Sequence, residues 1–143
     1  MIGFQIKGDH NNPYHLSVSA VVFEGNKLAL LKKVDGSYTL PRETINSNES
    51  LVNAIFRGLR EELGINVSVE KFIGSLITIF KRPDNTKVEK TTLYFICTKR
   101  GETNKKQEED ELTDEVVWIT KSAAQDLLKT SNNNEWKIVE RSF

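Results

Sequence analysis

The chain has 143 residues, with 20 basic and 20 acidic side chains and a formal net charge of zero. This length is typical of one domain, and the balanced charge excludes nucleic acid or an anionic membrane as an obvious main partner. No apolar run approaches 18 residues, the N-terminus lacks the layout of a signal peptide, and the lone Cys97 cannot form an internal disulfide. We therefore expect one domain over residues 1–143, located in the cytoplasm, and leave its oligomeric state open.

The first third of the chain predicts short strands joined by tight turns. Apolar and polar residues alternate over Leu16–Phe23, and a second run of this kind spans Lys27–Leu31 after Gly25-Asn26. Two such runs around a Gly-Asn pair predict a hairpin. A third, short strand is expected over Tyr38–Leu40.

An amphipathic helix is predicted next. The polar residues 46–48 are good N-cap types, so we expect the helix to start at Glu49. Leu51, Ile55 and Leu59 recur every four residues and form one apolar stripe. Gly64 supplies the left-handed residue that ends the helix.

Two adjacent carboxylates, Glu61 and Glu62, lie near the end of this helix and are expected to project side by side. Such a pair is most stable when a hard cation neutralises it, and Mg²⁺ binds one or two carboxylates together with water and phosphate. We predict a site for Mg²⁺ (or Mn²⁺) at these two residues. The alternative is a solvated helix face on which Arg57 and Glu61 form an ordinary i,i+4 ion pair.

The remaining sequence predicts further strands and two short helices. The runs with β-branched and aromatic content, or with alternation, are Val67–Val69, Phe72–Phe80, Thr91–Thr98 and Val116–Ile119. Residues 99–114 are polar and are expected to form a mobile loop. Ser122 is a candidate cap for one helix, and Trp136 and Val139 suit one face of the last. The order of elements predicts an α+β fold with helices over a mixed sheet.

The segment from Glu43 to Ile65 resembles the signature of the Nudix hydrolases, G-x5-E-x7-R-E-U-x-E-E-x-G-U, in which U is aliphatic. Glu43 stands where the signature has its first glycine, and Gly58 stands where it has the glutamate after the arginine. The other seven of its nine defined positions match in one ungapped window: Glu49, Arg57, Leu59, Glu61, Glu62, Gly64 and Ile65.

The resemblance implies an α/β/α sandwich and cleavage of diphosphate linkages in nucleoside diphosphate derivatives. It implies that Glu61 and Glu62 hold the metal, and that Arg57 orients Glu49 through a bidentate pair. Gly58 removes a carboxylate that binds metal or serves as general base in many members, so a catalytically inactive nucleotide-binding or regulatory module is the alternative. Gly58→Glu is expected to stabilise the helix by up to about 1 kcal/mol and to raise turnover.

Weaker similarities point to the diadenosine polyphosphate hydrolase subgroup. Residues 38–42, 90–95 and 115–119 are similar to three of its conserved segments. If the chain is such a hydrolase, Arg42 and Lys90 would meet phosphates, and Tyr38 or Tyr94 would stack on a base. The subgroup also implies a further catalytic glutamate, for which Glu111 is the nearest match, although a solvated acidic loop explains that region equally well.

Overall fold

A computed structural model describes residues 14–103 and 114–143. These residues form one seven-stranded mixed sheet and three helices, so the predicted α+β class is confirmed. The strands are β1 (Tyr14–Glu24), β2 (Lys27–Lys32), β3 (Tyr38–Thr39), β4 (Arg42–Thr44), β5 (Ile65–Lys81), β6 (Lys87–Glu102) and β7 (Glu115–Thr120). The helices are α1 (Leu51–Leu63), α2 (Lys121–Ser131) and α3 (Asn133–Glu140). Within the described ranges, none of these helices is long and apolar enough to cross a membrane.

Strand β1 is the centre of the sheet. It pairs in parallel with β6 from Tyr14 to Phe23, and antiparallel with β2 through the predicted hairpin at Gly25-Asn26. The main path of the sheet runs β3-β2-β1-β6-β5, while β4 pairs with β1 and β7 pairs with β2. The central position explains why β1 is almost continuously buried, since both of its faces are covered.

Helices cover both faces of this sheet and give the predicted sandwich. Val18, Ala20 and Val22 of β1 pack in one core cluster with Ile55 and Leu59 of α1. The other core cluster contains Val21 of β1 together with buried residues of the C-terminal helices, namely Ala124, Leu128, Trp136, Ile138 and Val139. The alternating side chains of a strand therefore serve two separate cores.

Several boundaries differ from the sequence-based expectations. Helix α1 begins at Leu51, because the Ser50 side chain accepts a hydrogen bond from the Asn53 N–H, and Glu49 lies before the helix. Likewise Thr120 caps α2, through a bond from the Ala123 N–H, in place of Ser122.

The strands also depart from the predicted pattern. The two strands expected between residues 67 and 80 are a single strand, β5. Its pairing with β6 contains register shifts, and these interrupt the apolar–polar alternation from which strands are predicted. Strand β4 was not predicted, because its three residues are held by pairing with β1 far away in sequence. The loop expected over residues 99–114 starts later, since β6 continues to Glu102, and residues 104–113 lie outside the described ranges.

A buried carboxylate, Glu135 of α3, fixes the chain segment that leads into α1. It is 0% exposed and accepts hydrogen bonds from Thr39 Oγ1 at 2.7 Å and the Leu40 N–H at 3.0 Å. Its second oxygen accepts from the Tyr94 hydroxyl at 2.7 Å and from Arg42 Nη2 at 3.0 Å. A buried charge is tolerated when it is paired and fully hydrogen-bonded, as here. Helix α3 is thereby fastened to β3, β4 and β6.

We predict that Glu135→Gln lowers the free energy of unfolding by about 3 kcal/mol. The substitution keeps the volume, but it leaves Arg42 without its buried counter-ion and places an NH₂ group against other donors. Urea unfolding followed by circular dichroism measures the loss. The control is Glu89→Gln on β6, an exposed carboxylate, which should change stability by less than about 1 kcal/mol. Equal stability of the Glu135 variant and the wild type would show that the network does not hold the fold.

Candidate active site

Arg57 is the centre of a hydrogen-bonded cluster on α1. Its Nε and Nη2 donate to the two oxygens of Glu49 at 2.8 and 2.9 Å, which is the bidentate pair that the sequence predicted. Nη2 also donates to the Thr44 carbonyl at 2.8 Å, and Nη1 lies 2.9 Å from Glu43 Oε1. Hydrogen bonds to Glu49, followed by those to Glu43, raise the pKa of Arg57 above its usual range. The guanidinium therefore joins α1 to β4 and to the turn that precedes the helix.

The side chains of Glu61 and Glu62, which the sequence predicted to form one metal site, differ in their exposure to solvent. Successive residues of an α-helix are about 100° apart around its axis. The Glu61 side chain is 53% exposed and lies 3.6 Å from Arg57 Nη1, whereas Glu62 turns inward. Glu62 Oε2 is buried and has no hydrogen-bond partner among the described residues.

The inward position of Glu62 changes its acidity. Burial raises the pKa of Glu62 to about 7, and the negative charge of Glu43 acts in the same direction. Lys33 opposes the shift but does not cancel it. A buried carboxylate with an unpartnered oxygen beside a second carboxylate is an environment that a cation would stabilise.

Glu43 and Gly58, the two departures from the signature, touch each other. A Cβ added to Gly58 would lie 2.8 Å from Glu43 Cβ and 3.0 Å from Glu43 Cγ. Real Cβ atoms essentially never show contacts under 3.0 Å, so a side chain at position 58 would force β4 or α1 to shift. The expectation that Gly58→Glu stabilises the helix is therefore wrong, and glycine at this position lets β4 approach α1 closely. Glu43 lies in β4 with a negative φ, so the glycine that the signature places there is not needed for a left-handed turn.

A polar cavity of about 350 Å³ opens next to Glu62. Three basic side chains, Lys33, Arg42 and Lys90, line it together with Tyr38 and Asp114. Burial, and secondarily the Arg42 charge, lower the pKa of Lys90. The sequence indicated Arg42, Lys90 and Tyr38, and the structure brings them together. Lys33 and Asp114, which form a 2.8 Å ion pair, were missed because nothing in their spacing marks them.

Two predicted binding residues have other environments. Tyr94 is 1% exposed and donates its hydroxyl hydrogen bond to Glu135, so the prediction that it stacks on a base is wrong. Arg42 uses Nη2 for Glu135, and its buried Nε has no hydrogen-bond partner among the described residues. Glu111 lies outside the described residues. Within residues 14–103 and 114–143, no three His, Cys, Asp or Glu side chains converge as a ready metal cluster.

One protein family matches the sequence. The family model described as the NUDIX domain covers residues 13–141. A search of curated proteins found no significant match.

Solved structures share the fold. A NUDIX hydrolase from Nitrosomonas europaea has a TM-score of 0.68 at 16% identity, over 92% of this chain and 88% of its own. An ADP-ribose pyrophosphatase from Streptococcus suis has a TM-score of 0.61 at 20% identity, over 90% and 91%. A MutT protein from Methanosarcina mazei gives 0.61 at 22% identity, over 90% and 92%.

The Glu43–Gly58 contact predicts an unusual response to alanine. Replacing a glycine within a helix by alanine usually stabilises it by about 1 kcal/mol. Here Gly58→Ala should instead lower the melting temperature, because its Cβ would meet Glu43 Cβ. In the Glu43→Gly background the same substitution should raise the melting temperature. Differential scanning calorimetry of the four proteins checks this, and a stabilising Gly58→Ala in the wild type would contradict the packing.

The raised pKa of Glu62 predicts a pH-dependent stability in the absence of divalent cations. Between pH 4.5 and 7 the unfolded chain releases the Glu62 proton while the folded protein retains it, so stability falls as pH rises through this window. The loss is on the order of 3 kcal/mol. Urea unfolding in EDTA at several pH values should show this decline in the wild type and its absence in Glu62→Gln. Parallel pH profiles for the two proteins would contradict the assignment.

Proposed function

The chain belongs to the NUDIX family, whose domain model spans nearly its whole length, and from this we propose that it is a metal-dependent hydrolase of diphosphate linkages. Its substrate is a nucleoside diphosphate derivative or a dinucleoside polyphosphate, handled by a single cytoplasmic domain. The observation that carries the proposal is the cavity in which the inward carboxylate of Glu62 meets three basic side chains. In such a site the carboxylate would bind a cation, and the basic side chains would bind a phosphate.

Two buried atoms without hydrogen-bond partners among the described residues support separate binding positions for the cation and the phosphate. Glu62 Oε2 is a hard, anionic oxygen that suits Mg²⁺ or Mn²⁺, and Arg42 Nε is a cationic donor that suits a phosphate oxygen. Glu62 would hold the metal, and Glu61 is the second ligand that the signature implies. When bound, such a metal neutralises charge on the diphosphate and lowers the pKa of a coordinated water.

The remaining side chains bind the substrate or hold other residues in position. Lys90 and Lys33 supply further positive charge to the phosphates, while Tyr38 at the same cavity is placed to contact the base. Arg57 acts as a positioning residue, because it holds Glu49 and Glu43 and does not line this cavity. Glu111 stays a candidate for an additional catalytic carboxylate.

The substrate class is drawn from the signature and from the proteins that share the fold. Those proteins include an ADP-ribose pyrophosphatase, a MutT protein and a UDP-X diphosphatase. Their names favour nucleoside diphosphate derivatives over the dinucleoside polyphosphates that residues 38–42 and 90–95 suggested. The missing carboxylate at Gly58 favours the alternative of a nucleotide-binding module without turnover.

We predict that the purified protein, with Mg²⁺ or Mn²⁺, hydrolyses at least one of ADP-ribose, a UDP-sugar, a nucleoside triphosphate or diadenosine tetraphosphate. Products are separated by ion-exchange chromatography. Glu62→Gln should lower kcat by about 100-fold or more, within the range of metal and acid–base contributions. Glu102→Gln, an exposed carboxylate at the end of β6, should behave as the wild type.

A paired test addresses the phosphate-binding side. Lys90→Met should raise KM for the best substrate by about tenfold, because a charge-assisted bond to phosphate is lost. Lys87→Met, on the same strand but exposed, is the matched control. Nucleotide binding without hydrolysis of any compound would support the inactive module and overturn the proposed reaction.

A further inference from the structure

Glu43 and Gly58 are the two departures from the signature. Position 43 has a carboxylate where the signature has glycine, and position 58 has glycine where the signature has a carboxylate. We propose that Glu43 takes over the role of the missing glutamate, so that a metal-binding carboxylate reaches the site from strand β4 in place of helix α1. This inference rests on the proposed function, because it assigns a further ligand for the same metal. It explains how a chain with glycine at position 58 can keep an active site.

The Glu43 side chain lies against Gly58. Glu43 Cβ, Cγ and Oε2 lie 2.8, 3.0 and 3.3 Å from the position that a Cβ on Gly58 would occupy. The Glu43 side chain therefore fills the space where a side chain at position 58 would begin. A side chain at both positions would force one of the two segments to shift.

The backbone of β4 prevents Glu43 from giving way. Residue 43 pairs with Val18 of the central strand β1, and its neighbours Arg42 and Thr44 pair with Ser19 and Ser17. A Cβ is fixed by the backbone and cannot rotate away as the end of a side chain can. Moving the carboxylate from position 43 to position 58 therefore needs Glu43→Gly and Gly58→Glu together.

The two oxygens of the Glu43 carboxylate have different surroundings. Glu43 Oε1 lies 2.9 Å from Arg57 Nη1, so one oxygen is held by the same guanidinium that binds Glu49. Oε2 is the Glu43 oxygen that lies near Gly58. One oxygen is thus anchored while the other faces the place of the missing side chain.

A small cavity of about 10 Å³ lies beside the Glu43 side chain. Glu43, Gly58 and Glu62 line it together with Arg42, Pro41 and residues of β1 and α1. That volume is close to the smallest that holds one water molecule. The unpartnered Oε2 of Glu62 is buried, and Glu62 also lines the large polar cavity. Two carboxylates thus flank a space of single-ion size at the edge of the proposed phosphate site.

The test measures Mn²⁺ binding by isothermal titration calorimetry and, separately, the melting temperature in EDTA. The proteins are the wild type, Glu43→Gln, Glu43→Gly, Gly58→Glu and the exchanged double variant Glu43→Gly/Gly58→Glu. Glu102→Gln is the control for loss of one negative charge. Hydrolysis of the best substrate is followed in parallel.

Glu43→Gln should remain folded and bind Mn²⁺ about tenfold or more weakly, while Glu102→Gln binds as the wild type. Gly58→Glu should melt at a lower temperature than the wild type. The exchanged double variant should recover both the melting temperature and the Mn²⁺ affinity, because the carboxylate then comes from the helix.

Wild-type Mn²⁺ affinity in Glu43→Gln, together with hydrolysis in the wild type, would overturn this inference and leave the proposed function standing. A double variant that binds Mn²⁺ no better than Glu43→Gly would likewise overturn it. A wild type that neither binds Mn²⁺ nor hydrolyses any substrate would overturn both.

Discussion

The site depends on the guanidinium of Arg57, because this one group fixes three parts of the chain that carry carboxylates. It holds Glu49 in the turn before α1, Glu43 in β4 and, more loosely, Glu61 on its own helix. Its planar fork and permanent charge allow several charge-assisted hydrogen bonds at once, which lysine could not provide. The surrounding carboxylates still outnumber it. Negative charge therefore remains near α1, and the charge of Glu43 adds to burial in raising the pKa of Glu62.

A second buried network, around Glu135, fixes the opposite wall of the site. It holds residues 39–42 against α3 and keeps Tyr94 in the core, so Arg42 enters the cavity from a rigid segment. Buried and fully paired polar groups of this kind specify one arrangement of neighbouring elements. Arg57 thus supports the proposed metal-binding side, and Glu135 supports the proposed phosphate-binding side.

Local patterns in the sequence predicted the hairpin and the amphipathic helix, and the resemblance to the Nudix signature implied the Arg57–Glu49 pair and the α/β/α sandwich. Each of these depends on residues that are close in sequence or belong to one spaced signature. The contact between Glu43 and Gly58 was not predicted, because it requires β4 to pair with β1 across more than twenty residues. Glu135 gave no signal either, since its burial depends on how α3 packs on the sheet. The different exposure of Glu61 and Glu62 follows from their different positions around the helix axis, which adjacency in sequence does not reveal.

The central claim is that the divalent cation lies between the strand-borne Glu43 and the helix-borne Glu62. Anomalous diffraction from wild-type crystals grown with Mn²⁺ tests it most directly, because it locates the metal without reference to activity. We predict a Mn²⁺ peak in direct contact with one carboxylate oxygen of each of these two residues, with Arg57 still bound to Glu43 and Glu49. A Mn²⁺ peak that contacts Glu61 but not Glu43 would contradict this account.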